Sequence, residues 1–251
     1  MSRNFELLRQ AGGLHDLMNS VEEPENLPAD NNAAASTPAL ELGGMTRDEV
    51  TKLVHRLFLN PGAQAPRRVV FTGAEAGDGC SWMCAHVGEV LASHVRGSVC
   101  MVDCNLRSPS LHRQFKTENH YGLSDALLGS DSIRQYATRL LRPNLWLVSC
   151  GAPIENGHTL LTSERMRVRM AELREEFDYL LIDVAPVAAG NEGLVLARLS
   201  DGVVLVLKAN SSRRETAWNV LQELKTANVR ALGAVLNQRT FPIPEAIYNW
   251  L

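Results

Sequence analysis

The chain has 251 residues, 45% hydrophobic and 21% charged, with a formal net charge of −3. That length supports one large α/β domain or two small ones, and the charge balance gives no global basic field for nucleic acid. No apolar run approaches the roughly 20 residues that span a bilayer, and Met1-Ser2-Arg3-Asn4-Phe5-Glu6 lacks a signal-peptide core, so a cytoplasmic protein is expected.

Residues 3–18 place Leu7, Leu8, Ala11, Leu14 and Met18 at helical spacing, a short amphipathic segment within residues 1–19. It suits docking on a partner and packing on its own domain equally well. Residues 20–44 are rich in Pro, Asn, Ala and acids without periodicity, which reads as a flexible linker. The folded domain then runs from 45 to 251. Its first helix is predicted from Thr46 to Leu59, with Thr46 and Glu49 as a capping box, Val50, Leu53, Val54 and Leu57 as its stripe, and Pro61-Gly62 as its stop.

From Arg68 onward strand and helix patterns alternate. Apolar runs at 68–72, 98–103, 145–149, 178–183, 202–208 and 232–236 read as strands buried on both faces. Helical patterns at 81–95 (Met83, Cys84, Val87, Val90, Leu91), 162–176 and 213–227 lie between them. The expected fold is α/β, a doubly wound, mostly parallel sheet flanked by helices, with ligands at the carboxyl ends of the strands.

Three strand ends carry chemistry. After Val69-Val70-Phe71 comes a glycine-rich loop, Thr72 to Trp82, in which Ala76, Gly77, Asp78, Gly79, Cys80, Ser81 and Trp82 are the candidate nucleotide-binding residues. Such a loop offers backbone N–H groups to phosphate oxygens, a lysine to the β and γ phosphates, and a hydroxyl to Mg²⁺. Ser81 supplies the hydroxyl, but Cys80 stands where the lysine belongs. Losing one charge-assisted contact costs about 1.5–3 kcal/mol, roughly ten- to a hundred-fold in affinity. Asp103 ends a second strand and Asp183 a third, positions suited to orienting Mg²⁺ with Ser81. Either carboxylate alone suits a loop cap as well.

The five cysteines (Cys80, Cys84, Cys100, Cys104, Cys150) form no C-x-x-C pair and fit a reducing compartment. Cys80 and Cys84 stand four apart, and packing is favoured over a metal or redox role.

These segments together resemble the bacterial tyrosine kinases of capsule and exopolysaccharide synthesis, a branch of the P-loop ATPases that includes the MinD and ParA proteins. Gly73 to Trp82 follows the family loop S-A-E-P-G-E-G-K-S-T position by position; Val102 to His112 tracks V-D-A-D-L-R-R-P-S-L-H; Leu181 to Pro186 aligns with I-I-D-T-P-P. Gly122–Gly129, Asp201–Val206 and Gly233–Asn237 match further segments, and the resemblance covers roughly residues 46–240. It implies ATP or ADP with Mg²⁺ as ligand, Asn237 near the adenine, Asp103 and Arg107 as catalytic residues, and Ser81, Asp103 and Asp183 around the metal. It also implies a partner, the cytoplasmic tail of a membrane polysaccharide chain-length (co-polymerase) protein, and hence a peripheral place at the inner membrane face. Glu49, Lys52 and His55 occupy the spacing of the family's ring-forming Glu-x-x-Arg-x-x-Arg helix, a candidate for homo-oligomerisation.

The departures from that pattern cluster at the phosphate end. They are Cys80 for lysine, Trp82 for threonine, Asn105 for the second acid, and Val184-Ala185 for Thr-Pro. The lysine that some relatives carry near the loop's start is absent, and the tail holds one tyrosine, Tyr248, where active members carry a cluster. Three readings of that resemblance lead to different chemistry. One is a degenerate, weakly catalytic or non-catalytic regulatory partner in polysaccharide synthesis or export. A second is an active protein-tyrosine autokinase with Asp103 as base, and a third is a MinD-like nucleotide-dependent switch.

Overall fold

The computed structural model describes residues 44–60, 65–153 and 157–238. The amphipathic segment 3–18, most of the linker 20–44, Pro61-Gly62 and Tyr248 lie outside the described residues. The first described elements are helix α1 (Gly44–Phe58), strand β1 (Arg68–Gly73), helix α2 (Cys80–His94) and strand β2 (Val99–Asp103). Two short helices, α3 (Leu111–Gln114) and α4 (Leu123–Leu128), precede β3 (Thr138–Arg139) and β4 (Leu145–Val148). Then come α5 (Gly157–Leu161), α6 (Glu164–Glu176), β5 (Tyr179–Asp183) and α7 (Glu192–Arg198), followed by β6 (Gly202–Lys208), α8 (Arg214–Thr226) and β7 (Ala231–Asn237).

The strands form one seven-stranded sheet in the order β3-β4-β2-β5-β1-β6-β7. All neighbours are parallel except β3 and β4. The crossover connections place helices on both faces, as parallel pairing requires. One face buries Val50, Val54 and Phe58 of α1, with Leu91 of α2, against Phe71 and Met101 of the sheet. The other packs Met166, Met170 and Leu173 of α6, Leu196 of α7 and Leu224 of α8 against Val70, Val102 and Ile182. Burying each of the larger side chains stabilises by about 1.5–3 kcal/mol, and cutting Met101 to alanine costs about 2–5 kcal/mol.

Helix α2 is covered twice, by the sheet beneath and α1 above, so every residue from Met83 to Ala92 is buried. Its polar members find partners within that layer: Arg142 Nε donates to Glu89 Oε1 at 2.6 Å, and His86 Nδ1 lies 2.7 Å from the Trp82 carbonyl. On the opposite face, buried Arg169 donates to the carbonyls of Ala126, Gly129 and Asp131, satisfying the carboxyl end of α4 and the turn after it.

The six expected strands are all present, each within a residue or so of its expected limits. The first helix differs. It begins at Gly44, so Thr46 lies inside its first turn instead of capping it, and Glu49 pairs with Lys52 at 2.9 Å. The short α3, α4, α5 and α7, and the exposed two-residue β3, have too few residues to show a period in the sequence. Among the described residues no helix is long and apolar enough to cross a membrane.

Candidate functional site

The interior strand β1 delivers the glycine-rich loop to the carboxyl edge of the sheet, directly before α2. Gly77 (φ 90°) and Gly79 (φ 84°) take left-handed conformations that admit few other residues. A Cβ at Gly79 would collide with the side-chain amide of Asn237, whereas one at Gly77 would meet open space. Asp78 pins the loop from inside: its Oδ2 accepts from the N–H groups of Ala74 (3.0 Å) and Glu75 (2.9 Å), and its Oδ1 from the Ser212 hydroxyl (2.9 Å). Asn237 Nδ2 donates to the Asp78 carbonyl at 3.0 Å. Ala76 and Gly77 remain exposed on the rim. The loop thus keeps the curvature of a phosphate cradle while its inward polar groups are satisfied by protein.

Cys80 is the first residue of α2 and partly buried. Burial first, and then the carboxylate of Asp183, push its thiol well above the ordinary range. Cys84 is raised by the same two causes. Raised thiols of this kind stay protonated, as packing residues do. Trp82 stacks on His86 with ring centroids 3.9 Å apart and packs against the α1 side of the core. That contact commits the indole to helix packing.

Asp103 and Asp183 are paired in register on neighbouring strands, both fully buried. Asp103 Oδ1 accepts from the Asn105 N–H (3.2 Å), and its Oδ2 from Ser110 and Leu111 (3.0 Å each). It holds the turn that leads into α3. Burial raises its pKa, and these backbone bonds pull it back. Neither oxygen of Asp183 has a hydrogen-bond partner. Burial and then the negative charge of Asp103 raise its pKa; Ser81 and Cys80 lie near enough to favour the ionised form without making a well-formed bond.

An orphaned, buried carboxylate beside a hydroxyl on a phosphate-type loop fits Mg²⁺ held jointly with nucleotide oxygens. Asp183 and Ser81 would hold such an ion. Among the described residues no cluster of three or more His, Cys, Asp or Glu could hold a metal by itself. When bound, Mg²⁺ would supply charge neutralisation between phosphate oxygens. Arg107, the cation of the second motif, is ion-paired to Glu192 at 3.1 Å. Asn105 Oδ1 accepts from the Ser108 N–H at 3.2 Å and shapes the same turn as Asp103.

The structure therefore gathers Ala76 to Ser81, Asp103, Asp183 and Asn237 at one sheet edge. Arg107 stands at the rim beside a cavity of about 130 Å³ lined by Cys104, Leu106, His158 and Glu192 among others. Glu49, Lys52 and His55 lie on exposed turns of α1, with the ring of His55 5.1 Å from that of His94. Two participants had no signal in the sequence. Ser212 and Glu192 are 134 and 85 residues from the partners they hold, so only the strand order reveals them.

A mostly parallel sheet with a glycine-rich loop after interior strand β1 and carboxylates ending the next two strands on one side, β5 and β2, defines the P-loop NTPase fold of the MinD and ParA kind. The comparisons then narrow the class. The chain is 29% identical over 171 residues to the tyrosine-protein kinase YwqD of Bacillus subtilis strain 168, covering 68% of this chain and 72% of that one. It is 27% identical over 176 residues to the tyrosine-protein kinase Wzc of Salmonella typhimurium strain LT2. That match covers 67% of this chain but only 23% of Wzc. The kinase domain of the Escherichia coli tyrosine kinase ETK superposes with a TM-score of 0.71 at 22% identity, covering 79% of each chain. No protein-family model matches the chain. The chain is a homologue of the bacterial tyrosine-protein kinases.

Proposed function

We propose that this protein is a nucleotide-binding but catalytically impaired relative of the bacterial tyrosine kinases, serving as a regulatory partner in polysaccharide synthesis or export. One observation carries the reading. Cys80 is a neutral thiol at the cation position of an otherwise formed phosphate loop, and the nearest arginine of the second motif is engaged by Glu192. Phosphoryl transfer concentrates charge on the transferred group and depends on fixed cations to stabilise it. The loop amides and Asp183 with Ser81 support residual binding of Mg-nucleotide. Both oxygens of Asp103 are engaged by backbone N–H groups of its own turn, which holds the carboxylate to the turn instead of freeing it to reach a substrate hydroxyl.

In this reading the protein meets the cytoplasmic segment of a membrane chain-length protein and senses or shapes its assembly, with Glu49, Lys52 and His55 available for contact between copies. The test is autophosphorylation. With γ-labelled ATP and Mg²⁺, the purified chain is expected to leave Tyr248 unlabelled and to turn ATP over at least a hundred-fold more slowly than YwqD assayed beside it. Labelling at a rate comparable to YwqD refutes the reading.

A further inference from the structure

The phosphate loop has two unlike flanks. On the β5 and β2 side stand Asp183 and Asp103, both acidic and both buried. On the β6 and β7 side the register pairs Lys208 with Asn237, so their side chains emerge on the same sheet face. The face is fixed by neighbours. Val206 and Val235, also paired and two residues earlier, belong to the core layer under α2, and Asn237 reaches Asp78 and Gly79 from it. Strand β6 lies between β1 and β7, so Lys208 emerges next to the loop, between its strand and Asn237.

Lys208 is also wired to the loop through the backbone. Its N–H donates to Ser212 Oγ (2.8 Å), which donates to Asp78 Oδ1 (2.9 Å), which holds the start of the loop. The residue is half-buried, and its ammonium has no hydrogen-bond or ion-pair partner among the described residues. An unpaired cation in a partly enclosed place is a ready contact for an anionic ligand.

The two flanks set the direction of a bound nucleotide. Metal and terminal phosphates lie where the loop hydroxyl and strand-end carboxylate meet, at Ser81 and Asp183. The inner phosphates and sugar then lie toward β6 and β7. We propose that Lys208 is the working cation of this site, that it contacts the inner phosphates, and that the site accordingly selects a nucleoside diphosphate over the triphosphate. A third phosphate would meet Asp103, Asp183 and the Cys80 thiol with no cation added. This inference rests on the reading of the loop as a nucleotide site.

The experiment titrates the full chain with Mg-ADP and Mg-ATP by calorimetry, alongside Lys208→Met and Lys208→Arg, each first checked for an unchanged thermal melt. The expected result is ADP binding tighter than ATP, a loss of about ten- to a hundred-fold for ADP in Lys208→Met, and near-native binding in Lys208→Arg. ATP binding tighter than ADP, or ADP binding indifferent to Lys208→Met, overturns the proposal and leaves the nucleotide site standing. Silence of the natural chain toward both nucleotides overturns the nucleotide reading and this inference with it.

Discussion

Asp103 and Asp183 end adjacent strands, pair in register and are equally buried, yet their surroundings differ in kind. Asp103 accepts three backbone N–H bonds and fixes the turn into α3. Asp183 accepts none. A buried carboxylate with partners stabilises the fold, whereas one without them costs stability until a cation arrives. The pair shows that the same place on a sheet can serve structure or ligand, and that hydrogen bonds decide which.

Replacement of each aspartate breaks or sharpens this contrast. Asp103→Ala strands three N–H groups and is expected to cost about 3 kcal/mol or more in chemical denaturation; a loss below about 1 kcal/mol would mean the turn does not depend on it. Gly79→Ala combines a left-handed φ with the collision against Asn237 and is expected to cost about 2–3 kcal/mol, against about 1 kcal/mol for Gly77→Ala, whose Cβ meets open space. Equal costs at the two glycines would remove Asn237 from the account.

Asp183→Asn should act in the opposite direction to Asp103→Ala. The folded pKa of Asp183 is raised above its unfolded value, so the folded state binds the proton more tightly. Its contribution is present at pH values below the ordinary carboxylate range and is lost as pH rises toward the raised value. The metal-free protein is therefore expected to lose Tm as pH rises from that range, and Asp183→Asn to flatten the slope and raise Tm at its alkaline end. A natural protein whose Tm is independent of pH there would contradict the orphaned carboxylate. The smallest effect is expected at Arg107→Ala, because its ion pair with Glu192 is half-exposed on the arginine side, and such pairs contribute about 1 kcal/mol or less.

Much of this was legible in the sequence. Buried parallel strands announce themselves as continuous apolar runs, and a loop rich in glycine between strand and helix narrows the chemistry to phosphate. Both aspartates could be placed at strand ends, but which one was spent on a turn could not be read, because the donors at Ser110 and Leu111 follow from the path of the chain. Lys208, Ser212 and Asn237 converge on the loop only because β6 returns beside β1 and β7 beside β6. The sequence places Trp82 at the end of the candidate nucleotide loop, and its stacking on His86, one turn later on the same helix, depends on a rotamer that spacing does not fix.

The central claim is that the phosphate loop kept its shape and lost its charge. Titration of the natural chain and of Cys80→Lys with Mg-ATP tests it directly. The account predicts weak binding by the first and a gain of about ten- to a hundred-fold in the second. Equal affinity for Mg-ATP in the two proteins would contradict it.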